Sequence, residues 1–288
     1  MPALLRACRP HQWLKNVLVL AAPGAAGVLT ESRPLWRALG AFVALTLAAS
    51  GTYLLNDVAD READRRHPRK RFRPVAAGTV SVATAVAVGL SLLVGSVLVA
   101  IGVQGYKLAI VVGCYVGLTV SYSLWWKHLA VVDLVAVALG FVLRAVAGAV
   151  ATDVSLSNWF LISASFGSLF VVSGKRYAES ISPVLSDGSA RGAIPYDPAF
   201  LRVVLGAALS GTMLSYCQWA FEKDHAAGSS HPLYLVSIVP MMTAMLRYLL
   251  VVTNGDGAAP EEVFYRDRPM QVFSLLWLLV FLVAVYVG

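Results

Sequence analysis

Nine stretches of this 288-residue chain are apolar over about the ~20 residues that a helix needs to cross a bilayer. They run over 14–30, 35–55, 80–103, 107–124, 129–151, 158–174, 200–220, 233–253 and 270–287. Between them lie short polar loops and three longer connections, 56–79, 175–199 and 254–269. This pattern predicts an all-α, polytopic membrane bundle of nine transmembrane helices, in a single domain over 1–288. Composition agrees, because 58% of the residues are hydrophobic and only 14% charged. Soluble domains are about 45–50% apolar and about 25% charged. An ordinary soluble enzyme, a disordered chain and a disulfide scaffold are excluded. The first run is interrupted by Lys15, Pro23 and Gly24. Its leading Arg6, Arg9 and Lys15 give it the look of a signal peptide, but no soluble domain follows, so it reads as a first membrane helix.

The cations sort by side. With the N-terminus in the cytoplasm, 17 of the 23 lysines and arginines fall on the cytoplasmic face, while Arg33, Arg37, Lys107 and Lys223 fall outside. Arg144 and Arg247 lie within spans. All three long connections then face the cytoplasm, which places the active site there and the protein in the plasma membrane as a multi-pass chain. The net charge of +7 reflects this topology and not nucleic-acid binding, and membrane lipids are the expected surroundings. Cys8, Cys114 and Cys217 form no Cys-x-x-Cys pair, and His11, His67, His128, His225 and His231 have no metal-ligand spacing. The sequence leaves open whether copies associate into a homo-oligomer.

Asn56, Asp57, Asp60 and Asp64 close the second span. At about 100° per residue, the three aspartates share one arc of roughly 60° on a helix. Carboxylates so close repel unless a cation lies between them. A hard divalent ion such as Mg²⁺ suits them, since it takes one or two carboxylates plus waters and phosphate oxygens. The alternative is a solvated helix end with Asp60–Arg61 or Asp64–Arg65 pairs. The run from Arg65 to Pro74 follows, with Lys70, Arg71 and Arg73 as candidate clamps for a polyanionic phosphate. The same cations could instead anchor anionic headgroups.

Other polar residues sit where burial is costly. Arg144 lies mid-span with Asp133 nearly on the same face, and intramembrane charges face a bundle interior or a wet cavity. A phosphate, Glu179 or a structural partner could meet Arg144. Lys15 and Asn16 open the first span, as pocket residues or as an interfacial anchor. Arg266 and Arg268 flank Asp267, as topology signals or phosphate contacts. Trp13, Trp36, Trp125, Trp126 and Trp159 stand at span ends, as belts do.

The Asn56–Asp64 motif resembles the first aspartate-rich motif of the UbiA-type intramembrane prenyltransferases. The stretch from Tyr122 to Lys127 is similar to that family's Tyr-x-x-x-x-Lys loop. The resemblance implies that Asp57, Asp60 and Asp64 hold Mg²⁺ on a diphosphate, with Asn56, Tyr122 and Lys127 beside it. Ordinary members carry a second aspartate-rich motif after the sixth span. Here that place reads Gly174-Lys175-Arg176-Tyr177-Ala178-Glu179, with cations in place of acids. This departure, with the runs Arg9–Asn16 and Lys70–Pro74, resembles the branch that transfers phosphoribosyl groups to lipid phosphates in cell-wall arabinan assembly. That branch implies two substrates, phosphoribosyl pyrophosphate and decaprenyl (polyprenyl) phosphate. The first would be held by Asp57, Asp60, Asp64, Lys70, Arg71 and Arg73. Lys175, Arg176, Tyr177 and Glu179 would lie at the lipid phosphate, which needs little base help because it is already anionic. In-line attack would then invert the anomeric carbon. Two readings stay beside this one: prenyl transfer from a polyprenyl diphosphate to an aromatic acceptor, and transport of a lipid phosphate or small anion.

Overall fold

The computed structural model describes residues 2–68, 70–181, 194–228, 232–255 and 260–287. Among them all regular structure is helical. The longer α-helices are α3 (Ser32–Ala59), α5 (Val82–Gln104), α6 (Tyr106–Leu124), α7 (Val132–Thr152), α8 (Asn158–Ile181), α9 (Pro198–Ala227), α11 (Ile238–Thr253) and α13 (Arg268–Tyr286). The short ones are α1 (Ala3–Ala7), α2 (Ala21–Ala25), α4 (Arg61–Arg66), α10 (Leu233–Val236) and α12 (Pro260–Arg266).

Seven helical segments of the described residues are long and apolar enough to cross a membrane: α3, α5, α6, α7, α9, α10 continued by α11, and α13. Two of the nine apolar runs fall outside this set. The first is a 3-10 helix over Pro10–Leu20, then the short α2 containing Pro23 and Gly24, then a left-handed Gly27 (φ 75°). Pro23 has no amide N–H to give to the Val19 carbonyl, which falls where the 3-10 helix hands over to α2. The other is α8, which is helical over 24 residues but is diluted by Ser163, Ser165, Ser168 and Ser173. That helix also extends past the predicted span, so Lys175, Arg176, Tyr177 and Glu179 stand on its last turns and not in a loop.

The chain divides into two compact units. The first comprises Met1–Lys127 and Leu143–Ser155, the second His128–Val142 and Leu156–Gly288, so that α7 contributes to both. In the first unit Ala41, Ala44, Leu45 and Ala48 of α3 pack with Ala100 of α5, Leu108 and Val112 of α6, and Ala147 and Ala151 of α7. Small side chains let helix backbones approach where lipid supplies no hydrophobic drive for association. Large residues such as Leu90, Val94 and Leu98 are left on the outer face of α5. In the second unit Phe170 of α8 meets Tyr248 of α11 edge-on at 5.3 Å, among Leu201, Leu205 and Val252.

Local signals set the ends. Ser81 accepts the Thr84 amide at the start of α5, and Asp267 accepts the Met270 amide at the start of α13. Gly105 (φ 64°) turns α5 into α6. Gly148 of α7 does something different. A Cβ there would stand 1.8 Å from the Val19 carbonyl oxygen, so the 3-10 segment rests directly on α7. Gly148→Ala is expected to destabilise the protein by about 2 kcal/mol, because the clash is with backbone that cannot rotate away. Thermal unfolding in detergent measures it, and an unchanged melting temperature would mean that the segment has room to shift.

Candidate active site

The first unit carries the aspartate motif. α3 stops at Ala59, Asp60 forms a turn (φ −88°, ψ 2°), and α4 begins at Arg61. The motif is therefore not one uninterrupted helix, and the three carboxylates do not gather on one arc as the periodicity predicts. Asp57 and Asp64 are both buried, at 1% and 2% exposure, and are joined by one side chain. Arg73 Nη1 donates to Asp64 Oδ2 at 2.7 Å and to Asp57 Oδ1 at 3.3 Å. Arg9 Nη2 reaches the same Asp57 Oδ1 at 2.5 Å. Asp60 turns elsewhere, accepting from Lys127 Nζ at 3.1 Å and from Asn56 Nδ2 at 3.2 Å. The local Asp60–Arg61 and Asp64–Arg65 pairs do not form, since Arg65 instead bonds Glu62 and the Ala76 carbonyl.

Arg73 is placed by the return of the loop. A 3-10 turn at Lys70–Phe72 precedes it, and buried Val75 and Ala76 anchor the chain behind it. Lys70 and Arg71 are exposed, with the Arg71 guanidinium 4.8 Å over the Phe72 ring. Arg6, Arg9, His11, Asp57, Phe72, Arg73 and Pro74 line a cavity of about 330 Å³. Three guanidiniums around one carboxylate make it a place for a polyanion. None of Arg6, Arg9 and His11 is a site residue expected from the sequence: Arg6 and Arg9 count among the cytoplasmic cations, and Arg9 and His11 stand within the run Arg9–Asn16 that carries the resemblance.

A second polar layer lies in the same unit. Arg144, 6% exposed, donates through Nε to Asn16 Oδ1 at 2.8 Å and through Nη2 to Tyr115 OH at 2.9 Å. Asn16 Nδ2 in turn reaches Thr46 Oγ1 at 3.0 Å. Arg144 thereby ties the 3-10 segment to α7, α6 and α3. Lys15 and Tyr122 are half-buried in this unit.

The second unit holds the cationic replacement motif. Arg176 is shared by two acids, with Nη2 3.1 Å from Asp133 Oδ2 and Nη1 3.0 Å from Glu179 Oε2. Lys175 is more loosely placed, 3.9 Å from Glu179 Oε1 and 46% exposed. Glu179 thus has Arg176 and Lys175 as its partners, where the sequence had also offered Arg144. Tyr196 OH donates to buried Asp133 and accepts the Val131 amide at 2.7 Å. Burial, then the bond to Asp133, pushes the Tyr196 phenol up to about 12. Tyr177 is buried at 6%. Arg266 and Arg268 are exposed, but Asp267 between them accepts a fork from Arg247 at 2.7 and 3.0 Å. That guanidinium holds the Asp267 carboxyl below the usual carboxylate range.

Among the described residues no three Asp, Glu, His or Cys side chains lie close enough together to hold a metal ion. Asp57 and Asp64 still fit one. Each already faces the same cation, Arg73, and Mg²⁺ asks for only one or two carboxylates when substrate phosphates complete its shell.

The UbiA prenyltransferase family model matches residues 17–279. This chain belongs to the UbiA family. Two of its relatives carry a narrower name. A decaprenyl-phosphate phosphoribosyltransferase of Corynebacterium glutamicum is 43% identical over 288 residues, covering 99% of this chain and 87% of the relative. One of Mycobacterium tuberculosis is 42% identical over 284 residues, covering 96% and 91%. A UbiA homolog from Archaeoglobus fulgidus, solved bound to DMAPP and Mg²⁺, superposes with a TM-score of 0.74 at 17% identity, over 98% of each chain. That likeness at low identity is a likeness of fold. In this UbiA member Asp57, Asp60 and Asp64 stand where the resemblance sets a first aspartate-rich motif, and Lys175 and Arg176 where it sets a second.

Proposed function

We propose that this UbiA member transfers the 5-phosphoribosyl group of phosphoribosyl pyrophosphate to decaprenyl (polyprenyl) phosphate and releases pyrophosphate, as a step in arabinan cell-wall assembly. The observation that carries the reading is near-full-length likeness to relatives bearing that name. The cavity in the first unit has the charge the reading requires. Phosphoribosyl pyrophosphate carries phosphates on both ends of the sugar, and Arg6, Arg9, Arg73 and His11 surround Asp57 there.

Each residue then has a stated task. Asp57 and Asp64 hold Mg²⁺ with the substrate diphosphate, and Asp60 orients Lys127 toward it, with Asn56 fixing Asp60. Mg²⁺ held there would supply positive charge to offset the charge that builds on the departing pyrophosphate. Arg73 with Lys70 and Arg71 binds phosphate oxygens, which holds the sugar for in-line attack. Lys15, Asn16, Arg144 and Tyr122 shape the wall behind. Lys175 binds the lipid phosphate, with Arg176, Tyr177 and Glu179 supporting it, and Arg266 and Arg268 add positive charge for anionic substrates. The reacting lipid oxygen is already anionic, so no general base is assigned. The first and sixth apolar runs complete a nine-span bundle, set in the plasma membrane with the N-terminus and the aspartate motif on the cytoplasmic side.

The test uses purified protein in detergent with labelled phosphoribosyl pyrophosphate, decaprenyl phosphate and Mg²⁺. Label is expected in the lipid fraction with stoichiometric pyrophosphate release, and chelation of the metal is expected to stop both. Consumption of a polyprenyl diphosphate with an aromatic acceptor, and no movement of label, would leave the family and overturn the reaction.

A further inference from the structure

We propose that Arg9 couples metal to diphosphate: it covers the Asp57 carboxylate until a diphosphate arrives and then becomes a ligand of that diphosphate. The inference rests on the metal-diphosphate reading above and concerns a residue which that reading leaves without a task.

Asp57 Oδ1 is occupied twice, by Arg9 Nη2 at 2.5 Å and by Arg73 Nη1 at 3.3 Å. Its side chain is only 2% exposed, so a cation can reach this oxygen only if a guanidinium gives way. The backbone at Arg9 is not free to carry the guanidinium off. Arg9 itself is left-handed (φ 54°) and leads into Pro10, while Ala7 and Cys8 before it are buried at 0% and 8%. The Cys8 carbonyl accepts from the Trp13 indole at 3.2 Å and from Ser50 Oγ at 3.4 Å, which pins the chain to α3. Only the side chain can move, and it moves within the cavity, over the Tyr53 ring at 4.7 Å.

Two outcomes follow from this tether. A bare divalent cation displaces Arg9 from Asp57 but leaves the guanidinium a short distance away, half-buried and facing like charge, which is unfavourable. A cation arriving with a diphosphate brings anionic oxygens to the same place, and a displaced guanidinium takes a diphosphate oxygen in exchange for the carboxylate. Arg73, which spans Asp57 and Asp64, makes the same exchange. Metal and diphosphate therefore bind as a pair, and each is held weakly alone.

Equilibrium dialysis of the full-length protein in detergent against radiolabelled Mn²⁺, with and without inorganic pyrophosphate, reads this directly and needs no turnover. Pyrophosphate is expected to raise Mn²⁺ affinity by about tenfold or more in the unaltered protein. In Arg9→Gln the bare ion should bind about tenfold more tightly and the enhancement by pyrophosphate should shrink to match. Arg9→Lys should keep part of the enhancement. Arg37→Gln, which removes a cation paired to Asp153 and not lining the cavity, should behave as the parent. If Arg9→Gln does not fold, Arg9→Lys carries the same test, since it keeps a cation in the cavity but loses the guanidinium that covers Asp57 Oδ1. Equal Mn²⁺ retention with and without pyrophosphate would overturn the coupling while leaving the metal assignment standing. Retention of the bare ion unchanged in the glutamine variant would overturn the role of Arg9. No retention in either condition would overturn the metal assignment, and this proposal with it.

Discussion

Asp57→Asn is expected to cut phosphoribosyl transfer by about a thousandfold in a protein that still folds, the size of loss seen when a group aimed at transition-state charge is removed. Asparagine has the same shape as aspartate, and its carbonyl oxygen can still accept from Arg9, so the buried site keeps a hydrogen-bond partner for the guanidinium. What disappears is one negative charge. In the proposed substrate complex that charge is one of two carboxylates that would face the metal, and without it the departing pyrophosphate would lose part of its electrostatic support. Without substrate, Arg9 and Arg73 face each other across a neutral amide. Asp64→Asn should act in the same direction through the same guanidinium. Asp60→Asn should cost less, because Asp60 bonds Lys127 and Asn56 and not the Arg73 bridge. Initial rates of label transfer, read beside thermal unfolding of each variant, separate these cases. An Asp57→Asn protein that keeps more than about a tenth of the rate would remove Asp57 from the chemistry.

The aspartate motif was legible in the sequence because its residues are close along one chain and stand at the end of an apolar run. The membrane helices were legible for a related reason, since their signal is composition over a window. The cations that complete the site were not. Arg9 meets Asp57 across 48 residues and Lys127 meets Asp60 across 67, and periodicity carries no information over such separations. The same limit applied to the arc of three carboxylates. It assumed one straight helix, whereas a turn at Asp60 sends that side chain to a different partner. The resemblance to the family supplied what local pattern could not for Lys127, but it gave Arg9 only as part of a matching run. In the first apolar run composition alone predicts a regular helix, whereas the backbone is a 3-10 helix followed by the short α2 that holds Pro23 and Gly24.

Arg176→Ala and Lys175→Ala are expected to fail in different ways, although the two cations are neighbours in sequence. Arg176 is the guanidinium of Asp133, a carboxylate exposed by only 1%. Removing it leaves that charge buried beside Tyr196, whose phenol, pushed up to about 12, stays a hydrogen-bond donor but brings no positive charge. The cost of such an orphaned charge is about 3–5 kcal/mol, and the lower end applies because the Arg176 side chain keeps 24% exposure. Lys175 sits 3.9 Å from Glu179 on an open face, where ion pairs contribute about 1 kcal/mol at most. Its removal should leave stability nearly unchanged and raise the KM for polyprenyl phosphate by about tenfold, with the KM for phosphoribosyl pyrophosphate unmoved. Unfolding curves and separate KM values for the two substrates distinguish the roles. A stable Arg176→Ala protein with a weakened lipid substrate would reverse them. The geometry favours the first outcome, since Arg176 already has two acids to hold it, whereas Lys175 has only Glu179 at 3.9 Å.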